Sequence, residues 1–472
     1  MKVLVLSIAA VIGLAGCTGV DHSPLPDVPT AAMYKGEVRS GGTVALERES
    51  WWSLYQDEEL TRLQQRLVEH SPDLASALAR YRQAQAATDT LRADRMPSVS
   101  TALDGTRNRQ SERRPLRGTD SADIYEDATL GFNINYELDL WGRISQQVAA
   151  GLADEEAAQS DLAAARLALQ VQLTERIITL RGADREIALL RDTLAAYERS
   201  DRMISERHRN GIASGLDLAR AQAQVEVARS QLHQVQAQRA LLENAIAALV
   251  GENASTFSLL PQSVSMEVPP IPTGLPSELL QRRPDIVAAQ RRVEAANASV
   301  GVARKAYFPS VSLSALGGYQ SDSFGNLIAA PNLFWAVGPG LLLNVFDGGR
   351  RRAEINRSEA VLDEAGQTYR GIVLSAFQQV EDQLALLNEY SAAATYEGQA
   401  VVATQRALDL ANDRYRDGAA SYLDVVTAQT ANLQSQRSEL DLKTRQRRAS
   451  VQLVRALGGG WSIDVVRVAS TE

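Results

Sequence analysis

The sequence predicts a mainly α-helical chain that contributes a few strands to a transmembrane β-barrel and carries an internal two-fold repeat. Three observations lead there. Residues 143–209 and 350–416 contain no proline, and at 1.5 Å per residue each helix would extend about 100 Å, too far for a globule. Residues 130–140 alternate strictly: Leu130, Phe132, Ile134, Tyr136, Leu138 and Leu140 against Gly131, Asn133, Asn135, Glu137 and Asp139. That period of two marks a strand with one apolar and one polar, acidic face. The chain also aligns with itself, so each element has a counterpart in the other half.

The 472 residues are 45% apolar, 22% charged and 5% aromatic, with a net charge of −8. The length exceeds what one compact core organises. The acidic balance argues against a nucleic-acid partner, which needs a basic stripe. One cysteine excludes an internal disulfide. His22, His70, His208 and His233 have no metal-ligand spacing. There is no nucleophile–base–orienter set and no phosphate loop, so neither an enzyme nor a cofactor is expected.

The elements follow in chain order. Lys2 precedes an apolar run from Val3 to Ala15, which reads as a signal peptide over 1–16. Cys17 stands directly after it in Leu14-Ala15-Gly16-Cys17, similar to the bacterial lipoprotein box. That likeness implies acylation of Cys17, and Thr18, where an aspartate would favour inner-membrane retention, implies the outer membrane. Acyl chains bind lipid with about 0.8 kcal/mol per buried methylene. Residues 17–50, with Pro24, Pro26 and Pro29, form a tether. No later apolar stretch reaches 18 residues, so a membrane-crossing part would have to be a closed barrel.

The first repeat is placed at 51–260, the proline-rich connector at 261–275, the second repeat at 276–460 and a tail at 461–472. Met96-Pro97-Ser98-Val99-Ser100 matches Phe308-Pro309-Ser310-Val311-Ser312 at an offset of 212, and Gly211 to Asp217 matches Gly418 to Asp424 at 207. The difference lies between 100 and 142, where a loop tolerates length changes. Each repeat is expected to hold one helical segment (57–95; 276–306), a β-hairpin (98–140; 309–346) and a long helical hairpin (143–250; 350–457). The first hairpin pairs a strand at 98–106 with the alternating one, and 104–127 is expected as a charged loop. In the second, Val311, Leu313, Ala315 and Tyr319 mark one strand, and Leu333, Trp335, Val337, Leu341, Leu343 and Val345 the other. Strands of about ten residues suit a bilayer. Four strands cannot close a wide barrel, and open edges are not tolerated in lipid, so three copies would share twelve strands.

In the long helices Leu162, Ala165, Leu169, Leu173, Ile177 and Leu180 keep three-and-four spacing, and Val426, Leu433 and Leu440 recur every seven residues. Gly211 and Gly418 suit left-handed C-terminal caps, and Ser214 and Ser421 suit N-caps of the returning helices. Each long helix should therefore turn back through a tight tip.

Beyond these patterns, the chain resembles the TolC/OprM-type outer membrane efflux family, in its lipoprotein branch. The likeness is carried by Arg282-Arg283-Pro284-Asp285-Ile286, Gly301-Val302-Ala303-Arg304, Tyr307-Phe308-Pro309-Ser310-Val311, the two tips, Ala456-Leu457-Gly458-Gly459-Gly460-Trp461, and Trp52-Ser53-Leu54-Tyr55 with Asp57 and Leu60. It covers essentially the whole mature chain. The resemblance implies a homotrimer with a twelve-stranded outer-membrane β-barrel, a long periplasmic α-barrel and a mixed α/β equatorial domain. It also implies a periplasmic adaptor, an inner-membrane pump of the RND type, and a passive exit duct for drugs or other small molecules.

The same resemblance makes the tips the informative residues. Asp424 matches the first of two acids three apart that line the closed entrance, Thr427 stands at the second position, and Asp217 is the equivalent of Asp424 in the first half. Leu423 fits an apolar constriction, and Tyr415 matches a tyrosine tying neighbouring helices at the closed end. Gly211, Ser214, Gly418 and Ser421 would shape tips that dock the adaptor. A ring of Asp424 around an axis would favour cations; the alternative is that Asp217 and Asp424 merely complement the N-termini of their helices. Type I protein secretion, metal-ion efflux and a non-transport periplasmic coiled-coil scaffold remain as other readings.

Overall fold

The computed structural model describes residues 25, 26, 31, 33–35, 50–115, 122–262, 267–269, 271 and 279–459. Cys17, the signal segment, most of the tether and connector, and the tail lie outside the described residues. The helices are α1 (Glu58–His70), α2 (Pro72–Ala93), α3 (Arg143–Arg209), α4 (Gly215–Leu249), α5 (Leu279–Arg282), α6 (Pro284–Lys305), α7 (Arg350–Arg416) and α8 (Tyr422–Ala456). The strands are β1 (Ser98–Arg109), β2 (Ile124–Leu138), β3 (Ser310–Ser321) and β4 (Leu333–Leu342). Among the described residues no helix is long and apolar enough to cross a membrane. The chain forms two compact units: one holds Tyr81–Ala158 and Ala289–Tyr369 with Leu25 and Pro26, the other Gln159–Ala288 and the described residues up to Arg80 and from Arg370 onward.

The first unit is organised by one antiparallel sheet in the order β1-β2-β3-β4. Residues directly opposite in an antiparallel ladder share a face. Register therefore gathers Val99, Leu103, Leu130, Phe132, Ile134, Tyr136, Leu138, Val311, Leu313, Ala315, Tyr319, Leu333, Trp335, Val337 and Leu341 on one face. The other face carries Ser98, Ser100, Asp104, Asn133, Asn135, Glu137, Ser312, Ser314 and Gln320, with Leu316, Phe334 and Leu342 among them. Within this chain most of the apolar face is uncovered: Val99, Leu103, Phe132, Trp335, Val337 and Leu341 are all exposed. Both β1 and β4 end the sheet with an open edge. Pro339, opposite Leu313 in β4, fits the ladder only with its nitrogen pointing off that edge.

Several boundaries differ from the sequence reading. The expected 104–127 loop is shorter, because β1 runs to Arg109 and β2 starts at Ile124, with Arg107 opposite Glu126. Beyond Gly105 both faces carry charged residues, Arg107 and Glu126 on one and Asp127 on the other, so the alternation that signals a strand fades while the backbone ladder continues. Leu140 lies past β2, in a turn where Asp139 accepts from the N–H groups of Ile144 (2.9 Å) and Ser145 (2.8 Å). Leu343 and Val345 likewise follow β4. Each single helix expected before a hairpin is two: Pro72 and Pro284 open new helices, because a proline drives the preceding residue out of the helical region. At the sheet base, Trp141 stacks on Phe308 at 5.1 Å and donates from Nε1 to the Pro309 carbonyl (2.7 Å).

The second unit has a core of Leu173, Ile177 and Leu180 from α3 with Trp51, Tyr55, Leu60 and Leu63, closed by Val380, Leu384, Val451 and Leu453. Asp57 caps α1, accepting from the Leu60 N–H (2.9 Å). In the first half of α8 the buried residues are Tyr422, Val425, Gln429 and Asn432, and Val426 and Leu433 of the expected seven-residue register pack beside them partly buried. A buried ionic network joins α3, α4 and the chain after α4. Asp184 accepts from Arg239 Nε (2.6 Å) and the Gln262 N–H (3.1 Å), with Arg181 Nη1 at 3.6 Å. Arg239 donates to Glu243 (2.8 Å) and the Leu259 carbonyl (2.6 Å), and Glu243 accepts the Leu259 N–H. Elsewhere Arg283 binds Asp285 (2.6 Å) and donates to the Ala456 carbonyl at the end of α8 (3.1 Å). Gly458 (φ +90°) packs where a Cβ would lie 2.8 Å from the Arg282 carbonyl oxygen.

Candidate functional site

The two tips are built by the same local chemistry. Gly211 (φ +73°) and Gly418 (φ +71°) hold the left-handed conformation that ends each long helix. The closing bonds match: the Gly211 N–H donates to the His208 carbonyl (2.9 Å) and the Ile212 N–H to Arg207 (2.8 Å), while the Gly418 N–H donates to Tyr415 (3.2 Å) and the Ala419 N–H to Arg414 (2.8 Å). Ser214 and Ser421 then cap α4 and α8, each hydroxyl oxygen accepting from the backbone N–H three residues on, at Asp217 and Asp424. A Cβ at Gly211 or Gly418 would meet nothing within 4 Å, so conformation alone requires glycine there.

The acids at the two tips differ in their surroundings. Asp217 accepts from the Ser214 hydroxyl (2.7 Å) and lies 3.6 Å from Arg220, one helical turn on. At the matching place after Asp424 stands Thr427, whose hydroxyl donates to the Leu423 carbonyl of its own helix (2.8 Å). Asp424 is exposed and accepts from both the N–H and the hydroxyl of Ser421 (2.9 Å each). Those bonds, with Arg414 nearby, hold its carboxyl below the usual carboxylate range. Leu423 beside it is exposed as well.

Behind the exposed acids the tips are tied together. Ile204 and Met203 of α3, Ala221 and Leu218 of α4, Ala411 and Tyr415 of α7, and Tyr422, Val425 and Val426 of α8 pack as one apolar cluster. The Tyr415 ring meets Tyr422 at 5.5 Å, and the Arg207 guanidinium lies 5.0 Å over the Tyr415 ring, a cation–π contact. Burial, with Tyr415, Asp201, Tyr197 and Asp217 around it, pushes the Tyr422 hydroxyl up to about 12. Sequence reasoning singled out Tyr415 but missed Arg207 and Tyr422. The available signal was their position: Arg207 occupies the last turn before the cap, and Tyr422 follows the capping serine. Among the described residues no group of three or more His, Cys, Asp or Glu could hold a metal ion.

A family model described as "Outer membrane efflux protein" matches residues 63–252 and 275–459. The outer membrane protein OprJ of Pseudomonas aeruginosa is 32% identical over 452 residues, covering 95% of this chain and 94% of the relative. The toluene efflux pump outer membrane protein TtgC of Pseudomonas putida is 31% identical over 469 residues, covering 98% and 96%. Among solved structures, a membrane protein from Pseudomonas aeruginosa superposes with a TM-score of 0.86 at 32% identity, covering 94% of this chain and all of that one. The outer membrane protein VceC of Vibrio cholerae superposes with a TM-score of 0.80 at 30% identity, covering 87% and 98%.

Proposed function

The chain belongs to the outer membrane efflux protein family and is the outer membrane channel of an efflux system; from that premise we propose that three copies close one twelve-stranded barrel around a water-filled duct. The sheet carries this reading: four strands, one apolar face, one polar face and two open edges. An apolar face of this extent fits lipid, a polar face fits an aqueous lumen, and unpaired edges are costly in a bilayer. Because β1 and β4 run in opposite directions, β4 of one copy pairs antiparallel with β1 of the next, and the ring closes without a free edge.

In this reading Cys17 is acylated and anchors the chain to the outer membrane, and the Gly211–Ser214 and Gly418–Ser421 tips point into the periplasm and dock an adaptor bound to an RND-type inner-membrane pump. The duct itself is passive, without catalysis, and the pump supplies the energy. Its cargo is small molecules, in line with relatives named for toluene efflux and pyoverdine export. Three Asp424 carboxylates line the periplasmic entrance and favour cations, with Leu423 as the apolar constriction beside them. Asp217 contributes less, because Arg220 offsets its charge. The Arg207–Tyr415–Tyr422 contacts hold the two tips of a chain as one body. The test is the purified, detergent-extracted protein: a heat-dissociable trimer that conducts ions in a planar bilayer is expected, and a soluble monomer without conductance would overturn the proposal.

A further inference from the structure

We infer that the connection between β3 and β4 is a foot seated in lipid: it folds outward over the apolar face of the sheet and rests where hydrocarbon meets headgroups, at the end of the barrel away from the helices. The inference rests on the membrane placement of that face proposed above.

Geometry fixes the direction of the fold. Gly105 and Ala128 are opposite each other in the β1–β2 ladder, two residues beyond the Leu103–Leu130 pair, so all four share the apolar face. A Cβ on Gly105 would lie 2.5 Å from Cζ of Phe324, which places that ring over the same face. Ala128 beneath is 1% exposed on a strand that is otherwise largely open. The connection is ordered, with 3-10 turns at Phe324–Asn326 and Ala330–Asn332. The Asn332 side-chain amide clamps it, donating to the carbonyls of Asn326 (2.6 Å) and Leu327 (3.2 Å), and Leu327 is buried.

Depth and composition identify the occupant of its outer surface. From Ser98 to Gly105 the strand rises about 23 Å, or about 18 Å along the membrane normal at a tilt near 40°, inside an apolar band about 25 Å tall. Phe324, over Gly105 at that level, is 61% exposed, and Ile328, four residues on in the same connection, is 72% exposed. Asp322, the first residue after β3, is the one charged residue of the connection, and from Ser323 to Phe346 there is none, whereas the β1–β2 hairpin carries Arg107, Arg109, Glu112, Arg113, Arg114, Asp123, Glu126 and Asp127. One hairpin has the composition of a loop in water and the other that of a loop in lipid. A connection folded outward also leaves the polar face of the sheet uncovered, so it cannot act as a lid over the exit.

Site-directed spin labelling tests this. The Ile328→Cys protein, trimeric and reconstituted in phosphatidylcholine vesicles, is labelled with a nitroxide, with the unsubstituted protein giving the background from Cys17. Collisions with dissolved oxygen are expected to exceed those with a water-soluble nickel chelate several-fold, as at Val337→Cys in the middle of the same face. Nickel-dominated collisions at 328 with oxygen-dominated ones at 337 would put the connection in water and overturn the inference. A label at 328 shielded from both would seat it against a neighbouring copy and overturn it equally. Nickel-dominated collisions at 337 would instead overturn the membrane placement beneath it. Adding Gly105→Val, which puts a side chain where the Phe324 ring lies, should raise nickel access at 328 several-fold while single-channel conductance stays unchanged.

Discussion

Asp184→Ala should loosen the chain that follows α4 far more than the loss of one carboxylate suggests. Asp184 is 1% exposed at its side chain, and Arg181 and Arg239, which face it, are 3% and 13% exposed. Removing the acid leaves Arg239 Nε without its 2.6 Å acceptor and strands the Gln262 N–H. Arg239 keeps Glu243 and Arg181 keeps Asp57, so the cost is a lost charge-assisted bond, about 1.5–3 kcal/mol, with a stranded N–H, about 1–3 kcal/mol, together about 3–5 kcal/mol. At about 1.4 kcal/mol per factor of ten, the locally opened state should become roughly a hundred- to several-thousand-fold more populated. When opening is fast relative to cleavage, proteolysis tracks that population. Thermolysin cleavage near Leu259 and Leu260, followed by mass spectrometry under native conditions, reads it directly. Replacing the linked charges together, Asp184→Leu with Arg239→Met and Glu243→Gln, leaves none of the three unpaired while Arg181 keeps Asp57 (3.3 Å), and should restore most of the protection. Cleavage of Asp184→Ala at the parental rate would refute the reasoning, as would a combined variant no better than the single one.

Two further outcomes concern the tips. Asp424→Ala should lower cation preference in planar-bilayer conductance, and the preference of the parent should be flat from pH 8 to 5. Because the folded-state pKa of Asp424 is depressed, its ionised, Ser421-bonded form persists above the ordinary carboxylate value near about 3.9 and is lost only as pH falls below it. A loss of selectivity already at pH 6 would contradict this assignment. Gly418→Val forces a β-branched residue into φ +71°, at a cost of about 1–2 kcal/mol at the tip. It should abolish efflux in cells while heat-dissociable trimers still form; wild-type efflux would exclude adaptor docking at that tip.

The matched tips also show how one residue separates two similar acids. Position 220 is an arginine and its counterpart 427 a threonine, so a helical turn that pairs Asp217 leaves Asp424 exposed with its cap and, from α7, Arg414 nearby. The two serines, two glycines and two aspartates look equivalent in the sequence; their electrostatics are not.

Features governed by neighbours along the chain were legible in the residues: the period of two in β2, the proline-free spans of α3 and α7, and the glycine and serine caps. Each depends on backbone sterics or on bonds closed within a few positions, and local composition encodes such interactions. What followed from contacts between distant residues was not legible. The Arg181–Asp184–Arg239 network, the Arg207–Tyr415 contact and the seat of Phe324 on Gly105 join positions 55 to more than 200 residues apart. Among many charged residues on long helices, nothing local marks which few are buried. The direction in which the β3–β4 loop folds is likewise decided only once the strands present one apolar face for it to cover.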